Sequence, residues 1–413
     1  MATATTSGVP KAYRAGTHRL VSPRETLERV RPFMPSMGIT RIADVTGLDC
    51  IGIPVVMVVR PNSRSIAVSQ GKGLDLWAAK ASGVMESVEG YHAEYMTTLP
   101  LKYDSYTELS RTHRLADVTE MAREDPSLFH LDRPLLWIQG FDLLAEEPVW
   151  LPYELVHTIY TVDKTLCPGN FAASSNGLAS GNHLLEAISH AICEVVERDA
   201  TTLWSLMSEE EHDQRRVDPS TVDDPGCREV LDRYELAGVA VGVWESTTDV
   251  GIPCFECAIV DREGNGLRDL YSAGGSGCHP AREIALLRAL TEAAQSRAAC
   301  ISGSRDDLFR TMYDRAMSPE AINGLRQRLA APTARRDFHK APTWEEDTLD
   351  GDVAWELSKL QGAGIEHVVV VDLTKPEFGL PVARVVIPGL EAKGVVPNCR
   401  YGRRAHAFME AKR

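Results

Sequence analysis

The chain has 413 residues, of which 44% are hydrophobic and 25% charged, an ordinary balance for a globular protein that buries a full core. Its 58 acidic and 44 basic residues give a net charge of −14, which disfavours nonspecific binding to nucleic acid or to an anionic membrane. The sequence shows neither a signal-peptide core nor an apolar run of about 18 residues, so we expect a cytoplasmic protein.

The nine cysteines are scattered along the chain and predict no disulfide framework. The one C-x-x-C pair, Cys254 and Cys257, lies in an alternating apolar segment typical of a strand. A redox motif needs a helix-opening context, and a zinc site needs a second such pair. We therefore interpret these two cysteines as structural.

The chain begins with a polar tail over residues 1–14, which we expect to be disordered. Ser22 can then cap a short helix in which Pro23 takes the first position. A segment rich in valine and isoleucine follows at 51–60 and predicts a strand.

A first glycine-rich loop is predicted at 69–73, and it leads into a helix over about 74–95. Ser82, Glu86 and Glu89 fall within about 60° of one another on this helix. The helix therefore presents a hydroxyl and two carboxylates on one face.

A second glycine-rich loop, residues 174–182, follows two predicted strands at 135–144 and 148–159. It leads into a helix over 183–200. The order is the same as at 69–95, a glycine-rich segment followed by a helix with an acidic face.

The acidic face of this second helix holds Glu186, His190, Glu194 and Glu197 within an arc of about 80°, and the opposite side is apolar. A row of acids is ordinarily a solvated face. Like charges three and four residues apart nevertheless repel one another, and only Arg198 is placed to relieve them. A bound cation is the favoured interpretation, with His190 as a hydrogen-bond partner of a glutamate.

The pattern returns a third time, with a glycine-rich loop at 274–279 and a helix over 281–299 on which Arg288, Glu292 and Gln295 share a face. Of the remaining segments, residues 208–225 predict an acidic surface loop, and residues 238–246 and 252–261 predict two paired strands. A polar helical region is predicted at 302–362. Two final strands are predicted at 366–373 and 382–387, and a basic stretch follows at 400–404.

Glycine-rich loops that enter helices suit phosphate, because they offer backbone N–H groups and a helix dipole. The spacing from Gly73 to Glu86 equals that from Gly181 to Glu194, 13 residues. Carboxylates together with phosphate oxygens are the usual ligands of Mg²⁺, and five glutamates exceed the needs of one ion. The sequence therefore predicts a nucleotide bound with two or more Mg²⁺ ions, in a site that lacks the P-loop spacing.

These motifs resemble those of the YcaO family. The resemblance spans about residues 15–405, and it rests on three motifs in the family's order: Ser82-x-x-x-Glu86-x-x-Glu89, the run from Ser175 to Glu186 continued by Glu194-Val-Val-Glu197-Arg198, and Arg288-x-x-x-Glu292-x-x-Gln295. The segments 53–65 and 69–73 resemble the branch whose genes accompany TfuA proteins.

The resemblance implies a mixed α/β fold with three units, each a glycine-rich segment and the helix that follows it. These units converge on one ATP–magnesium cleft, within a single catalytic domain over 15–405 that is followed by a tail at 406–413. It implies ATP-dependent activation of a peptide backbone amide: a nucleophile adds to the carbonyl, the oxyanion is phosphorylated and phosphate leaves. A homodimer is also expected from the family.

Transferred residue by residue, the resemblance assigns Mg²⁺ to five glutamates and ATP contacts to further residues, with Arg288 and Gln295 as looser transfers. We add Lys72, which is either a phosphate contact or a solvated loop lysine, and His279, which is either a proton-transfer group or a capping, packed histidine. The predicted metal ligands are Glu86, Glu89, Glu186, Glu194 and Glu197; the predicted nucleotide contacts are Lys72, Ser82, Asn182, Arg198 and Gln295; the predicted catalytic residues are Arg198, Arg288 and His279.

The C-terminal sequence departs from the family pattern, since azoline-forming members commonly end in Pro-x-Pro-x-Pro and this chain ends Phe-Met-Glu-Ala-Lys-Arg413. We also expect no separate leader-binding domain before residue 51. The favoured hypothesis is thioamide installation in a ribosomally made precursor peptide, with a TfuA-type partner delivering sulfur. An azoline- or macrocyclic amidine-forming cyclodehydratase is the nearest alternative, and a nucleotide-binding accessory factor for ribosomal-protein methylthiolation is another.

Overall fold

The computed structural model describes residues 8–96, 99–161, 169–263, 272–305, 307–331, 336–393 and 399–412. Cys167, Arg413 and the first seven residues of the expected tail lie outside these ranges. Within them the chain is a mixed α/β fold, as predicted. The helices are α1 Pro23–Val30, α2 Leu76–Glu94, α3 Tyr106–Leu109, α4 Leu184–Trp204, α5 Glu209–Gln214, α6 Pro225–Leu236, α7 Arg282–Ser302, α8 Arg310–Ala316, α9 Pro319–Ala330, α10 Leu349–Gly362 and α11 Arg403–Glu410.

The strands form three antiparallel sheets. One has the order β1-β2-β3, one β10-β9-β8, and the six-stranded one β4-β5-β11-β12-β7 with β6 paired to β5. The bounds are β1 Arg41–Asp44, β2 Val55–Val59, β3 Val68–Lys72, β4 Leu101–Asp104, β5 Leu135–Asp142, β6 Glu147–Pro152, β7 Leu178–Ser180, β8 Val239–Glu245, β9 Cys254–Asp261, β10 Ala273–Cys278, β11 Val369–Asp372 and β12 Val382–Val386.

Each sheet carries one of the three long helices. α2 packs against β2 and β3, α7 against β10 and β9, and α4 against β12 and β7. The apolar sides of α4 and α7 lie in separate buried clusters. Among the described residues, no helix is long and apolar enough to cross a membrane.

The predicted short helix is confirmed as α1, with Ser22 as its cap and a full capping box with Glu25. The predicted pairing of the strands near 238–246 and 252–261 is also confirmed, as β8 and β9. Cys254 and Cys257 lie on β9 as free, buried residues, which agrees with a structural role.

The glycine-rich segments were predicted as loops, and this is wrong for much of the first and the third, which form β3 and β10. In the second, Leu178–Ser180 forms β7. The glycines of β3 and β10 face helices at close range. A Cβ atom at Gly71 would overlap the backbone of Ala79 and Gly83 in α2, and one at Gly277 would overlap the backbone of Ala285 and Ala289 in α7. These glycines therefore allow strand and helix backbones to touch, rather than cradling phosphate.

Both chain ends are more ordered than expected. From residue 8 the expected tail packs on α10, where Lys11, only 3% exposed, forms a 2.8 Å ion pair with Asp352. The domain boundary predicted at 405 falls inside α11, in which Arg404 bonds both oxygens of the buried Asp199 of α4 at 2.9 and 3.0 Å. Two buried ion pairs thus tie the terminal segments to the body of the molecule.

Candidate functional site

Three helices present their polar faces to one cleft of about 820 Å³. Glu86 and Glu194, 108 positions apart in the sequence, both line it, because α2 and α4 face each other across it. The structure brings together all five glutamates that were predicted as metal ligands: Glu86, Glu89, Glu186, Glu194 and Glu197.

The two glutamates of α2 are held by strand backbones. Gln70 of β3 donates its backbone N–H to Glu86 Oε2 at 3.1 Å. Ser180 of β7 donates its N–H and its hydroxyl to Glu89 Oε1, at 2.9 and 2.7 Å. The contact between Glu89 and Ser180 joins the first unit to the second, so elements of different sheets together form the cleft.

Two glutamates of α4 are also anchored, Glu186 through both carboxylate oxygens and Glu197 through one. Glu186 accepts the N–H of Leu20 at 2.8 Å and that of Asn182 at 3.2 Å. Glu197 Oε1 accepts the hydroxyl of Ser276 at 3.1 Å and lies 3.3 Å from Arg198 Nη1. Glu197 Oε2 is buried without a hydrogen-bond partner in the described structure.

The carboxylates of the cleft carry more negative charge than the protein itself offsets. Burial, together with repulsion from Glu86 and Glu194, raises the pKa of Glu89 to about 8 against the hydrogen bonds from Ser180. Burial raises the pKa of Glu194 to about 7 although Arg198 opposes it. Such shifts identify a place where a cation would stabilise the ionised form.

These residues fit Mg²⁺ shared with phosphate. Within the described ranges, no three His, Cys, Asp or Glu side chains converge closely enough to cage an ion by themselves. Mg²⁺ is ordinarily held by one or two carboxylates, with phosphate oxygens and water completing the shell. The orphaned Oε2 of Glu197 and the raised pKa values of Glu89 and Glu194 match that requirement. The individual ligand assignments stay predictions.

The predicted nucleotide contacts Lys72, Ser82, Asn182, Arg198 and Gln295 all line the same cleft. Lys72 is not a solvated loop lysine, since it lies on β3 and pairs with Glu292 at 2.5 Å. Burial acts in the opposite direction, but Lys72 and Arg198 lower the pKa of Glu292 to about 2. Glu292 is therefore kept ionised by a direct ion pair, whereas burial dominates the pKa of Glu89 and Glu194.

The two histidines differ from what was expected. His279 is not among the described residues that line the cleft; its Nδ1 accepts the N–H of Ala281 at 3.0 Å and its ring contacts His18. This is the packed alternative, so the catalytic assignment finds no support in the position of His279.

His190 does line the cleft, but arginines and not a glutamate contact it. Arg288 Nη1 lies 3.1 Å and Arg19 Nη2 3.3 Å from His190 Nδ1. Burial and the nearby arginines lower the pKa of His190 well below its usual range, so the ring is neutral and Nδ1 accepts both bonds. Neutral His190 thus aligns two guanidinium groups in the cleft.

Several residues that line the cleft were not predicted from the sequence. Arg19 lies outside the three units, and Arg305 and Asp307, which form an ion pair, follow the third helix. No spacing signal marks these three. Glu292 did have a signal, since it shares the Glu-x-x-Gln pattern with Gln295, but it received no role.

Residues 70–391 match the family model described as YcaO cyclodehydratase, ATP- and Mg²⁺-binding. The chain belongs to the YcaO family. The family description confirms the predicted cofactors, ATP and Mg²⁺, and YcaO members are ATP-dependent peptide-modifying enzymes.

This YcaO protein is 38% identical over 386 residues to an uncharacterized protein encoded in the tfuA 3′ region of Rhizobium leguminosarum bv. trifolii, a match that covers 90% of this chain and 88% of the relative. The relative agrees with the predicted TfuA-associated branch.

Two solved structures share the fold. The YcaO protein of Methanopyrus kandleri bound with AMPPCP and Mg²⁺ has a TM-score of 0.76 at 22% identity, covering 96% of this chain and 98% of that one. A heterocyclase in complex with substrate and cofactor has a TM-score of 0.74 at 22% identity, covering 94% of this chain and 54% of that one. Both confirm the predicted fold class.

Proposed function

We propose that this protein uses ATP to activate a backbone amide of a ribosomally made peptide and installs a thioamide there with sulfur from a TfuA-type partner. The observation that carries the activation step is the meeting of unneutralised carboxylates and arginines in one cleft. Carboxylates bind Mg²⁺ and guanidinium groups contact phosphate oxygens. The cleft therefore has ligands for the metal and for the phosphates of a magnesium nucleotide.

The reaction balances without an oxidant. A sulfur nucleophile adds to the amide carbon and the carbonyl oxygen accepts the γ-phosphoryl group of ATP. The C–O bond then breaks, phosphate leaves, and the sulfur electrons form the C=S bond while ATP becomes ADP. Mg²⁺ would supply charge compensation to phosphoryl transfer.

The residues of the chain divide this work. Five glutamates would hold the ions: Glu86, Glu89, Glu186, Glu194 and Glu197. Arg198 and Arg288 would stabilise the charge that develops on the transferred phosphoryl group. His190 holds Arg288 in place as a neutral acceptor, which leaves the guanidinium charge available to phosphate.

Support for the thioamide product comes from the relative in the tfuA 3′ region. A cyclodehydratase that makes azolines or amidines is the second candidate, which the family description favours. Both reactions share the activation step and differ in the nucleophile, an external sulfur in one and a group of the peptide itself in the other.

Intact mass separates the two candidates. Purified protein, Mg²⁺ and ATP are incubated with peptides encoded beside its gene, with and without the neighbouring TfuA-type protein and a sulfide source. A mass gain equal to the difference between sulfur and oxygen is expected only in the complete mixture. Loss of one water without the partner would replace thioamidation by cyclodehydration, and no ATP-dependent change in any peptide would refute both.

A further inference from the structure

The cleft extends beyond the residues that the nucleotide needs. On α2, lining positions run from Ala78 through Ser82 to Glu89 and Gly90. At 1.5 Å per residue, Ala78 and Gly90 are about 18 Å apart along the helix axis. The carboxylates Glu86 and Glu89 lie towards one end of this length, with the predicted ATP contact Ser82 on one side of them and a further arm on the other.

This outer arm is lined by Arg60, Ser65, Ile66, Thr158, Tyr160 and Ser174. Its one buried ion pair is internally balanced: Arg60 Nη2 lies 2.8 Å from Glu94 Oε2, and the Ser65 hydroxyl donates to Glu94 Oε1 at 2.5 Å. Ser63 also donates to that oxygen, at 3.0 Å. Among the described residues that line the arm, the cation is Arg60, which is already paired, so the lining itself offers hydroxyl and apolar surface and not an unpaired positive charge.

The walls of the outer arm are tied together before any ligand binds. The loop that connects β2 to β3 is fixed by Glu94, and its Arg64 carbonyl accepts the N–H of Tyr160 at 2.9 Å. Thr158 donates its N–H to the Ala93 carbonyl at the end of α2. Because these walls are already ordered, binding of a ligand requires little further ordering of the protein.

Among the described residues that line the cleft, two uncharged side chains have buried hydrogen-bonding groups without a partner. Within the described part of the chain, the hydroxyl of Thr158, which is 2% exposed, has no partner, and neither has the amide Nε2 of Gln70, which is 3% exposed. Gln70 lies where the arm meets the carboxylates, because its backbone N–H bonds Glu86. A buried polar group without a hydrogen-bond partner destabilises the protein, and a ligand that bonds the group removes that cost.

We propose that the outer arm binds the backbone of the peptide substrate, with Gln70 Nε2 donating to a peptide carbonyl beside the carboxylates and the Thr158 hydroxyl bonding a neighbouring peptide group. Every peptide residue offers one donor and one acceptor, which is the chemistry that an uncharged amide and a hydroxyl can satisfy. This inference rests on the proposed function and assigns the side from which the amide reaches the bound nucleotide.

The first test measures peptide affinity. A pool of random ten-residue peptides is selected on the immobilised protein with AMPPCP and Mg²⁺, and enriched peptides are titrated one by one. Thr158→Val and Gln70→Met should each weaken binding about 5- to 10-fold while AMPPCP affinity stays the same. The control is Thr202→Val, which is equally buried on α4 but bonds the carbonyl of its own helix at Arg198.

Because the Thr158 hydroxyl bonds none of the residues that the structure describes, Thr158→Val should fold as well as the parent protein, so a loss of affinity reports on the ligand. Unchanged peptide affinity in both variants, or no peptide enriched by the parent protein, would overturn the inference. Peptides that bind through Thr158 and Gln70 but are never modified with ATP would leave the inference standing and refute the proposed function.

A second test locates the peptide. A photoreactive p-benzoylphenylalanine replaces Tyr160, which is 42% exposed at the arm, or Tyr103, which is 71% exposed on β4. Crosslinking of an enriched peptide is expected from position 160 and not from position 103. Equal crosslinking from both positions, or from 103 alone, would contradict the proposed arm.

Discussion

The glutamates that line the cleft differ from one another in how their charge is balanced. Glu292 has Lys72 at 2.5 Å and stays ionised, whereas Glu89 and Glu194 have raised pKa values because burial outweighs the hydrogen bonds at Glu89 and the nearby arginines at Glu194. The same residue type therefore serves two purposes in one cleft. Glu292 is part of an internal ion pair, whereas Glu89 and Glu194 are placed to ionise when Mg²⁺ binds.

Glu197→Gln should abolish most turnover and keep the fold. The amide retains the contact with Ser276 and removes one of several repelling charges, so the apo melting temperature should be unchanged or slightly higher. Loss of a metal ligand should lower the rate of ATP-dependent peptide modification by on the order of 10²-fold or more. Melting temperature and modification rate are measured side by side. Full activity of the variant would show that Glu197 is not a metal ligand, and an unfolded variant would show that its role is structural.

Glu356→Gln should flatten the dependence of stability on pH. Glu356 is fully buried, accepts the Ser189 hydroxyl at 2.7 Å, and burial raises its pKa from 4.5 to about 8. The folded state therefore favours the protonated acid, so its stabilising contribution is complete below pH 4.5 and is lost as pH rises towards 8. The loss for one group cannot exceed about 1.4 kcal/mol per pH unit.

The measurement for Glu356 is chemical denaturation of the parent protein and the variant between pH 5 and 8. The variant should gain stability relative to the parent as pH rises, and the exposed Glu263→Gln should not. Parallel pH profiles of parent and Glu356→Gln would show that Glu356 titrates normally in the folded protein.

At the scale of elements, one construction occurs in two related units. In the first and third units, a strand backbone N–H bonds a glutamate of the following helix 16 residues later, Gln70 to Glu86 at 3.1 Å and Ser276 to Glu292 at 3.4 Å. The glycine after each of these strand residues, Gly71 or Gly277, lets the helix touch the strand. The acidic face is thereby held at a fixed distance from the sheet edge.

Gly71→Ala and Gly277→Ala should each destabilise the protein by about 1–3 kcal/mol or more, because the new methyl group would overlap helix backbone and force strand and helix apart. Gly274→Ala is the matched control on β10, since its methyl group would meet only the Cys257 carbonyl, at 3.3 Å. Urea unfolding measures all three. A control as destabilised as the two test variants would attribute the loss to strand glycines in general and not to the helix contact.

At the scale of the whole molecule, the cleft depends on contacts between distant parts of the chain. The N-terminal segment supplies Arg19 and the Leu20 N–H, and is itself anchored by the buried pair of Lys11 and Asp352. At the other end, Arg404 of α11 bonds Asp199, next to Arg198 on α4. The expected homodimer stays a prediction.

Removal of Mg²⁺ should abolish nucleotide binding. The ionised glutamates of the cleft repel a triphosphate when no cation lies between them, so AMPPCP affinity measured by calorimetry should fall below detection in chelator and return when Mg²⁺ is restored. Equal affinity with and without chelator would contradict the assignment of these glutamates as metal ligands.

The sequence by itself determined the helices and their acidic faces, because the 3.6-residue period and the positions of Glu86, Glu89, Glu194 and Glu197 are local properties of each helix. The three matching units also made the family recognisable and, with it, ATP and Mg²⁺. Caps such as Ser22 were readable for the same reason, since a cap acts within one turn.

Only the tertiary structure decided what those faces meet. Gly71 and Gly277 lie in strands because helix packing, which local glycine propensity does not report, requires a residue without a side chain there. The pairing of Lys72 with Glu292, 220 positions away, and the convergence of Arg19 and Arg288 on His190 depend on how three sheets are placed relative to one another. No sequence spacing encodes these contacts, because each arises from packing between elements and not from the period within one.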